Sequence, residues 1–248
     1  VSARPVRTPE NPRGLRDLPF RLPEVPDAEK RRARSIYAAL EALHPDAHCE
    51  LDFTCPHELL VATMLSAQTT DVAVNKATPA LFDAFPTPAD YAAASPPEIE
   101  PYIRSIGLFR NKARHVHAAM TTLVEAFGGE VPGDMDDLLS LKGVARKTAN
   151  VVLSNAFDEH HGVVVDTHVE RLGKKYLLAP EDATVAMVER HLAARFPRPR
   201  WGMLSHLLIF HGRRIAPARG GRLEDDPIYQ RFVARRRARA KAPARSGS

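Results

Sequence analysis

The stretch that decides the fold is Asp136-Asp137-Leu138-Leu139-Ser140-Leu141-Lys142-Gly143-Val144-Ala145-Arg146-Lys147-Thr148-Ala149-Asn150. It reads as a short helix carrying Leu138, Leu139 and Leu141, a tight turn around Gly143, and a second helix from Arg146. A turn of this kind leaves the first backbone N–H groups of the second helix without intrahelical acceptors. Together with the helix dipole they form an anion site suited to a phosphate. Such a site holds a nucleic-acid backbone and reads no base. Lys147 lies in the first turn of the second helix, where the dipole opposes a cation. If the site is also partly desolvated, the neutral amine becomes available, a nucleophile that forms Schiff bases with carbonyl carbons. A solvated, phosphate-binding lysine satisfies the same spacing.

Outward from the hairpin the chain reads helical. Expected helices cover 28–43 with Asp27 as N-cap, 56–67 behind Pro56, and 71–84 bent or broken by Pro79. Short ones follow Thr87-Pro88 and Pro96-Pro97, and a longer one covers 109–126 and stops at Gly128-Gly129. The series continues with 135–141, 146–157, 167–178, 183–195 and 200–212. Leu59, Leu60, Thr63, Met64 and Ala67 are expected to form the buried face of the helix at 56–67. Val163-Val164-Val165 is too short for more than an extended crossing, so the fold class is all-α. Asp166, nineteen positions after Lys147, precedes a periodic helix. It suits an N-cap and, equally, a fixed carboxylate that stabilises positive charge or relays a proton.

Composition bounds the rest. The 248 residues fit one large domain or two small ones, and 44% are apolar, enough for a sizeable core. The formal charge is +5, but it sits at the ends. Residues 1–26, a Pro/Arg-rich arm with six prolines, carry +2; residues 230–248, entering a basic tail at 233–248, carry +7; the body between them is −4. Net charge alone therefore does not identify the partner. Within the acidic body, residues 101–115 form a local basic edge with Arg104, Arg110, Lys112 and Arg114 and no acid. No apolar run is long enough for a membrane span, and the first residues lack the apolar stretch of a secretory signal. Two cysteines, Cys49 and Cys55, exclude a disulfide framework and point to a reducing, cytoplasmic setting.

The hairpin residues Leu141 to Val152, with Val165-Asp166-Thr167-His168, resemble endonuclease III, a bifunctional DNA glycosylase family of the helix–hairpin–helix superfamily. Further matching stretches are Leu65-Ser66-Ala67-Gln68-Thr69-Thr70-Asp71, Val74-Asn75-Lys76-Ala77, Ile106-Gly107-Leu108, and Trp201 through His211-Gly212-Arg213. The resemblance covers about residues 30–215, in order. It implies base-excision repair of damaged duplex DNA, with oxidised pyrimidines removed by attack of a lysine on C1′, a Schiff base and β-elimination. Lys147 matches the nucleophile and Asp166 the essential aspartate. Gln68 is expected to fill the space of the flipped nucleotide and Leu108 to wedge the opposite strand. DNA contacts are expected from Arg110, Lys112, Lys142, Gly143, Val144, Ala145, Arg146 and His168. The implied fold has two helical lobes with DNA between them: 49–159 with the hairpin, and 27–48 joined to 160–232. Lys147 and Asp166 come from different lobes, and the protein is expected to act as a monomer.

The sequence departs from the family at three places. The family ends in cysteines spaced C-x6-C-x2-C-x5-C around a [4Fe–4S] cluster, just after His-Gly-Arg. Counted without gaps, those positions are Ala216, Leu223, Asp226 and Phe232, so no cluster is expected. Packing of Ile215, Leu223, Ile228 and Phe232 is expected to hold the 213–232 loop instead. In the hairpin, Lys142 stands where the family prefers proline and Ala145 where it prefers glycine. The family's hairpin carbonyls can also hold a monovalent cation. Two other readings stay open on the same residues: a monofunctional or alkylated-base glycosylase, and a non-catalytic DNA-binding module.

Overall fold

Helices follow one another along the chain with short connections. The computed structural model describes residues 18–241. Those residues hold thirteen α-helices and no strand. They are α1 (Asp27–Leu43), α2 (Pro56–Leu65), α3 (Asp71–Ala84), α4 (Pro88–Ala93), α5 (Pro96–Ile103), α6 (Phe109–Phe127) and α7 (Met135–Ser140). Then come α8 (Arg146–Ala156), α9 (Thr167–Lys175), α10 (Val185–Arg195), α11 (Trp201–Arg214), α12 (Pro227–Phe232) and α13 (Ala234–Lys241). The arm up to residue 17 and the tail from 242 lie outside the described residues.

The chain divides into two units. One is the continuous segment Cys49–His161; the other takes the described residues up to His48 and those from Gly162 on. In the first unit α2 is buried on every side from Leu59 to Leu65, as a helix without a polar face must be. It ends at Leu65, earlier than expected, which leaves Ala67 exposed rather than in the core. α3 runs through Pro79 without the break that was one of the two expected outcomes. The proline ring is on the exposed side, where water can serve the carbonyl that loses its donor. α6 buries Lys112, Val116, Ala119, Met120 and Leu123 along one stripe.

In the second unit α1 and α9–α12 share a separate core that includes Ile36, Leu40, Leu172, Leu204 and Leu208. Asp27 is the first residue of α1 rather than its cap, and Pro26 holds the cap position without a side-chain bond. α9 ends at Lys175, shorter than expected, because Leu177 turns left-handed and Leu178 N–H returns to Gly173 O at 2.9 Å. Trp201 is buried at the start of α11 and donates Nε1–H to Phe196 O at 2.9 Å. α12 is absent from the sequence reading, although Asp226-Pro227 spells an N-cap followed by proline at the first helical position.

Candidate active site and nucleic-acid interface

α7 and α8 form the hairpin. Asp134 caps α7, its Oδ1 accepting from the N–H of Asp136 at 2.9 Å and Asp137 at 3.3 Å. Leu138, Leu141 and Val144 are buried and seat the turn on the core. Val144 therefore anchors the turn rather than reaching outward, and its N–H bonds back to Leu141 O at 3.1 Å. Gly143 has φ +82°, and a Cβ there would stand 2.9 Å from Cβ of His115. Both the backbone angle and the close approach require glycine. Ala145 is extended, φ −95° and ψ 166°, so alanine is accepted without strain where the family prefers glycine. It caps nothing, which leaves the first turn of α8 without the side-chain acceptor that Asp134 gives α7. Lys142, Gly143, Ala145 and Lys147 are exposed. Arg146 is half-buried, and its guanidinium donates to His161 O at 2.5 Å.

Gln68 and Leu108 are the second element of this unit's surface. Four described non-glycine residues have left-handed backbone: Gln68, Leu108, Asp158 and Leu177. Two of them end helices, since Glu159 N–H returns to Leu153 O and Leu178 N–H to Gly173 O. Gln68 (φ 56°) and Leu108 (φ 59°) end no helix, Leu108 standing instead at the N-cap of α6; both are exposed, Leu108 at 61%. Each conformation costs on the order of 1–3 kcal/mol, and such strain gathers at functional sites. Both line one recess of about 220 Å³ with Met64, Asn111, His115 and Gly143. The recess thus joins the Gln68 turn, the start of α6 and the hairpin.

Lys112 also lines that recess but does not present its charge to solvent. It is 7% exposed, and its ammonium donates to Leu65 O and Thr69 Oγ1, both at 2.8 Å. Leu65 is the last residue of α2, where carbonyls lack intrahelical donors and a cation is favoured. Burial holds the Lys112 pKa below the usual lysine range. The expected DNA contact is instead a latch on both sides of Gln68. The sequence reading took Lys112 for a DNA contact; the signal that could have found its burial is that it lies on the same helical stripe as Val116 and Leu123. His115 and Asn111 were missed; nothing in the sequence pairs residue 115 with residue 143. Of the basic edge, Arg104, Arg110 and Arg114 remain exposed, with Arg114 bonded to Asn111 and Arg110 4.0 Å from Glu100.

Asp166 and His168 belong to the other unit. Asp166 is the N-cap of α9, its Oδ1 accepting from Val169 N–H at 2.8 Å, which fixes the carboxylate. His168 is half-buried over α11, where a Cβ on Gly212 would come within 2.6 Å of Nδ1. Burial lowers its pKa, against the opposing pull of Asp166. The glycine of His211-Gly212-Arg213 is thus a seat for His168.

The residues at the expected cluster positions do not fit an iron–sulfur cluster. Ala216 and Asp226 are buried, Phe232 is half-buried and Leu223 is 46% exposed. None is a thiol, and the chain's two cysteines are both in the hairpin-bearing unit. No group of three or more His, Cys, Asp or Glu suited to a metal occurs among the described residues. Leu223 also departs from the expected apolar packing of this loop.

Comparison with known proteins gives the family. Residues 61–198 match the HhH-GPD superfamily base excision DNA repair protein family. Endonuclease III of Synechocystis sp. is 48% identical over 192 residues, 77% of this chain and 87% of that protein. Endonuclease III of Bacillus subtilis is 43% identical over 186 residues, 75% and 84% of the two chains. A solved structure of a trapped endonuclease III–DNA covalent intermediate, an estranged-adenine complex, superposes with a TM-score of 0.77. It is 42% identical and covers 86% of this chain and 99% of its own. No described helix is long and apolar enough to cross a membrane. On hairpin, fold and sequence together, this chain belongs to the endonuclease III family of HhH-GPD base-excision DNA repair proteins.

Proposed function

We propose that this chain removes oxidised pyrimidines from duplex DNA and nicks the strand, as a bifunctional DNA glycosylase and AP lyase. The observation that carries this reading is Lys147, exposed in the first turn of α8 behind an uncapped, outward-facing hairpin.

A base inside the duplex shields C1′, so the damaged nucleotide must first leave the stack. The amide of Gln68 fills the space and meets the orphaned base, and the Leu108 side chain replaces lost stacking. Both are exposed on strained backbone, and Lys112 latches the Gln68 turn. The uncapped N–H groups of α8 and the Lys142 ammonium hold backbone phosphates. The Lys147 Nζ lone pair then attacks C1′. The C1′–N bond breaks and its electron pair leaves with the base. Opening of the sugar ring gives a protonated Schiff base between C1′ and Nζ. Loss of a proton from C2′ expels the 3′ phosphate, and water releases Lys147. Asp166 supplies the negative charge that favours the cationic sugar. Carbonyl oxygens of the hairpin turn would be the ligands for a monovalent cation.

The test is an end-labelled duplex with a single oxidised pyrimidine. Base release with strand scission on the 3′ side of the lesion is expected without alkali. Release that leaves the strand intact until alkali is added overturns the lyase assignment and favours a monofunctional glycosylase. Binding with neither event overturns catalysis altogether.

A further inference from the structure

In the second unit, the segment where the family carries its cluster is closed by one buried carboxylate. Asp226 occupies the third of the four cysteine positions and is fully buried, at 0% exposure. Its two oxygens take four donors. Oδ1 accepts from His211 Nε2 at 3.2 Å and from Tyr229 N–H at 2.9 Å. Oδ2 accepts from Tyr176 OH at 2.8 Å and pairs with Lys175 Nζ at 3.0 Å. An ionised carboxylate offers about four lone-pair sites, and all are used. The donors come from the end of α9, from α11 and from α12 itself. His211 Nδ1 lies 3.0 Å from His44 Nε2, so the network continues to the end of α1. With His211 donating from Nε2 to Asp226, its Nδ1 accepts from His44. Burying a charge is tolerated only when it is paired and fully hydrogen-bonded, and this one is both.

We infer that this Asp226 knot does the structural work of the family's iron–sulfur cluster, so the 215–233 segment folds without metal. An aspartate at the N-cap of α12 ties α1, α9, α11 and α12 together by donors rather than by thiolate–iron bonds. The other former ligand positions match that role. Ala216 is buried and its N–H returns to His211 O at 2.9 Å, while Phe232 packs against the core. The solvent-facing position, Leu223, adds no side-chain contact; its carbonyl accepts from Asp226 N–H at 3.4 Å and from Gln230 Nε2 at 2.9 Å.

The test uses the full chain, expressed in iron-replete medium. Iron analysis and the visible spectrum of the purified protein should show no cluster, and a strong chelator should leave its Tm unchanged. Stoichiometric iron, or a chelator-induced fall in Tm, overturns the inference. Asp226→Asn should lower Tm by about 10 °C. The milder Tyr176→Phe removes one donor without changing the core's shape and should lower Tm by a few degrees. Hydrogen exchange decides even if Asp226→Asn fails to fold: in Tyr176→Phe, amides of 215–233 should lose protection while those of the hairpin-bearing unit keep it. Unchanged protection at 215–233 also overturns the inference.

Discussion

The hairpin at 136–150 and the closing segment at 211–233 treat polar groups in opposite ways. In the hairpin, the apolar residues Leu138, Leu141 and Val144 are buried. Lys142, Lys147 and the uncapped start of α8 are left facing outward. In the closing segment a carboxylate is fully buried and every acceptor position on it is used. The lesson is that residue type alone does not assign a role. A charge whose hydrogen bonds are satisfied inside the protein holds structure, and one left unsatisfied at a glycine turn is available to a ligand. Lys112 makes the same point inside the interface, since its charge is spent on Leu65 and Thr69.

The comparison can be broken at either end. The largest effect is expected for Asp166→Asn, which should keep DNA binding and helix α9, since asparagine also caps, yet lower single-turnover excision by about 10³-fold. Retained turnover would remove Asp166 from the chemistry. Next comes the knot. Burial would raise the Asp226 pKa, but donors from His211, Tyr229, Lys175 and Tyr176 override it and hold the carboxyl well below its ordinary range. A group depressed in the folded state stabilises above its unfolded pKa of about 3.9 and loses that contribution as pH falls further. Denaturant unfolding should therefore show a gap of about 3 kcal/mol between wild type and Asp226→Asn that is constant above about pH 5 and narrows below about pH 4. A gap that widens in acid would contradict the knot.

Smaller effects sharpen the hairpin side. Gly143→Ala forces Cβ onto His115 at a positive φ and should cost about 2 kcal/mol in stability, with a comparable loss in DNA affinity. Calorimetry and binding titrations check both. Lys112→Met should lower excision of a damaged base about 10-fold with little change in KM for a preformed abasic site, which needs the least unstacking. Equal losses on both substrates would make Lys112 merely structural.

Much of this was legible in the sequence, and the reasons differ by residue. The hairpin was readable because Gly143 and the leucines around it are local signals, and turn and helix are both set by neighbours in the chain. Asp166 as a cap was readable for the same reason, and the structure has it bonded to Val169 N–H. Helical period places Lys112 on the buried stripe of α6, but its partners Leu65 and Thr69 are 47 and 43 positions away and nothing local pairs them with it. The Asp226 knot was not readable. Its partners Tyr176 and His211 are 50 and 15 positions away, and nothing local pairs them with it. The strain at Gln68 and Leu108 was hidden too, because neither residue type signals a left-handed backbone.

The most direct test of the hairpin's role is borohydride trapping on duplex DNA containing an abasic site or thymine glycol. The expected result is a covalent protein–DNA adduct whose peptide map places the link on Lys147 and which disappears in Lys147→Ala. An adduct that persists in Lys147→Ala, or no adduct on either substrate, would contradict the assignment of the nucleophile.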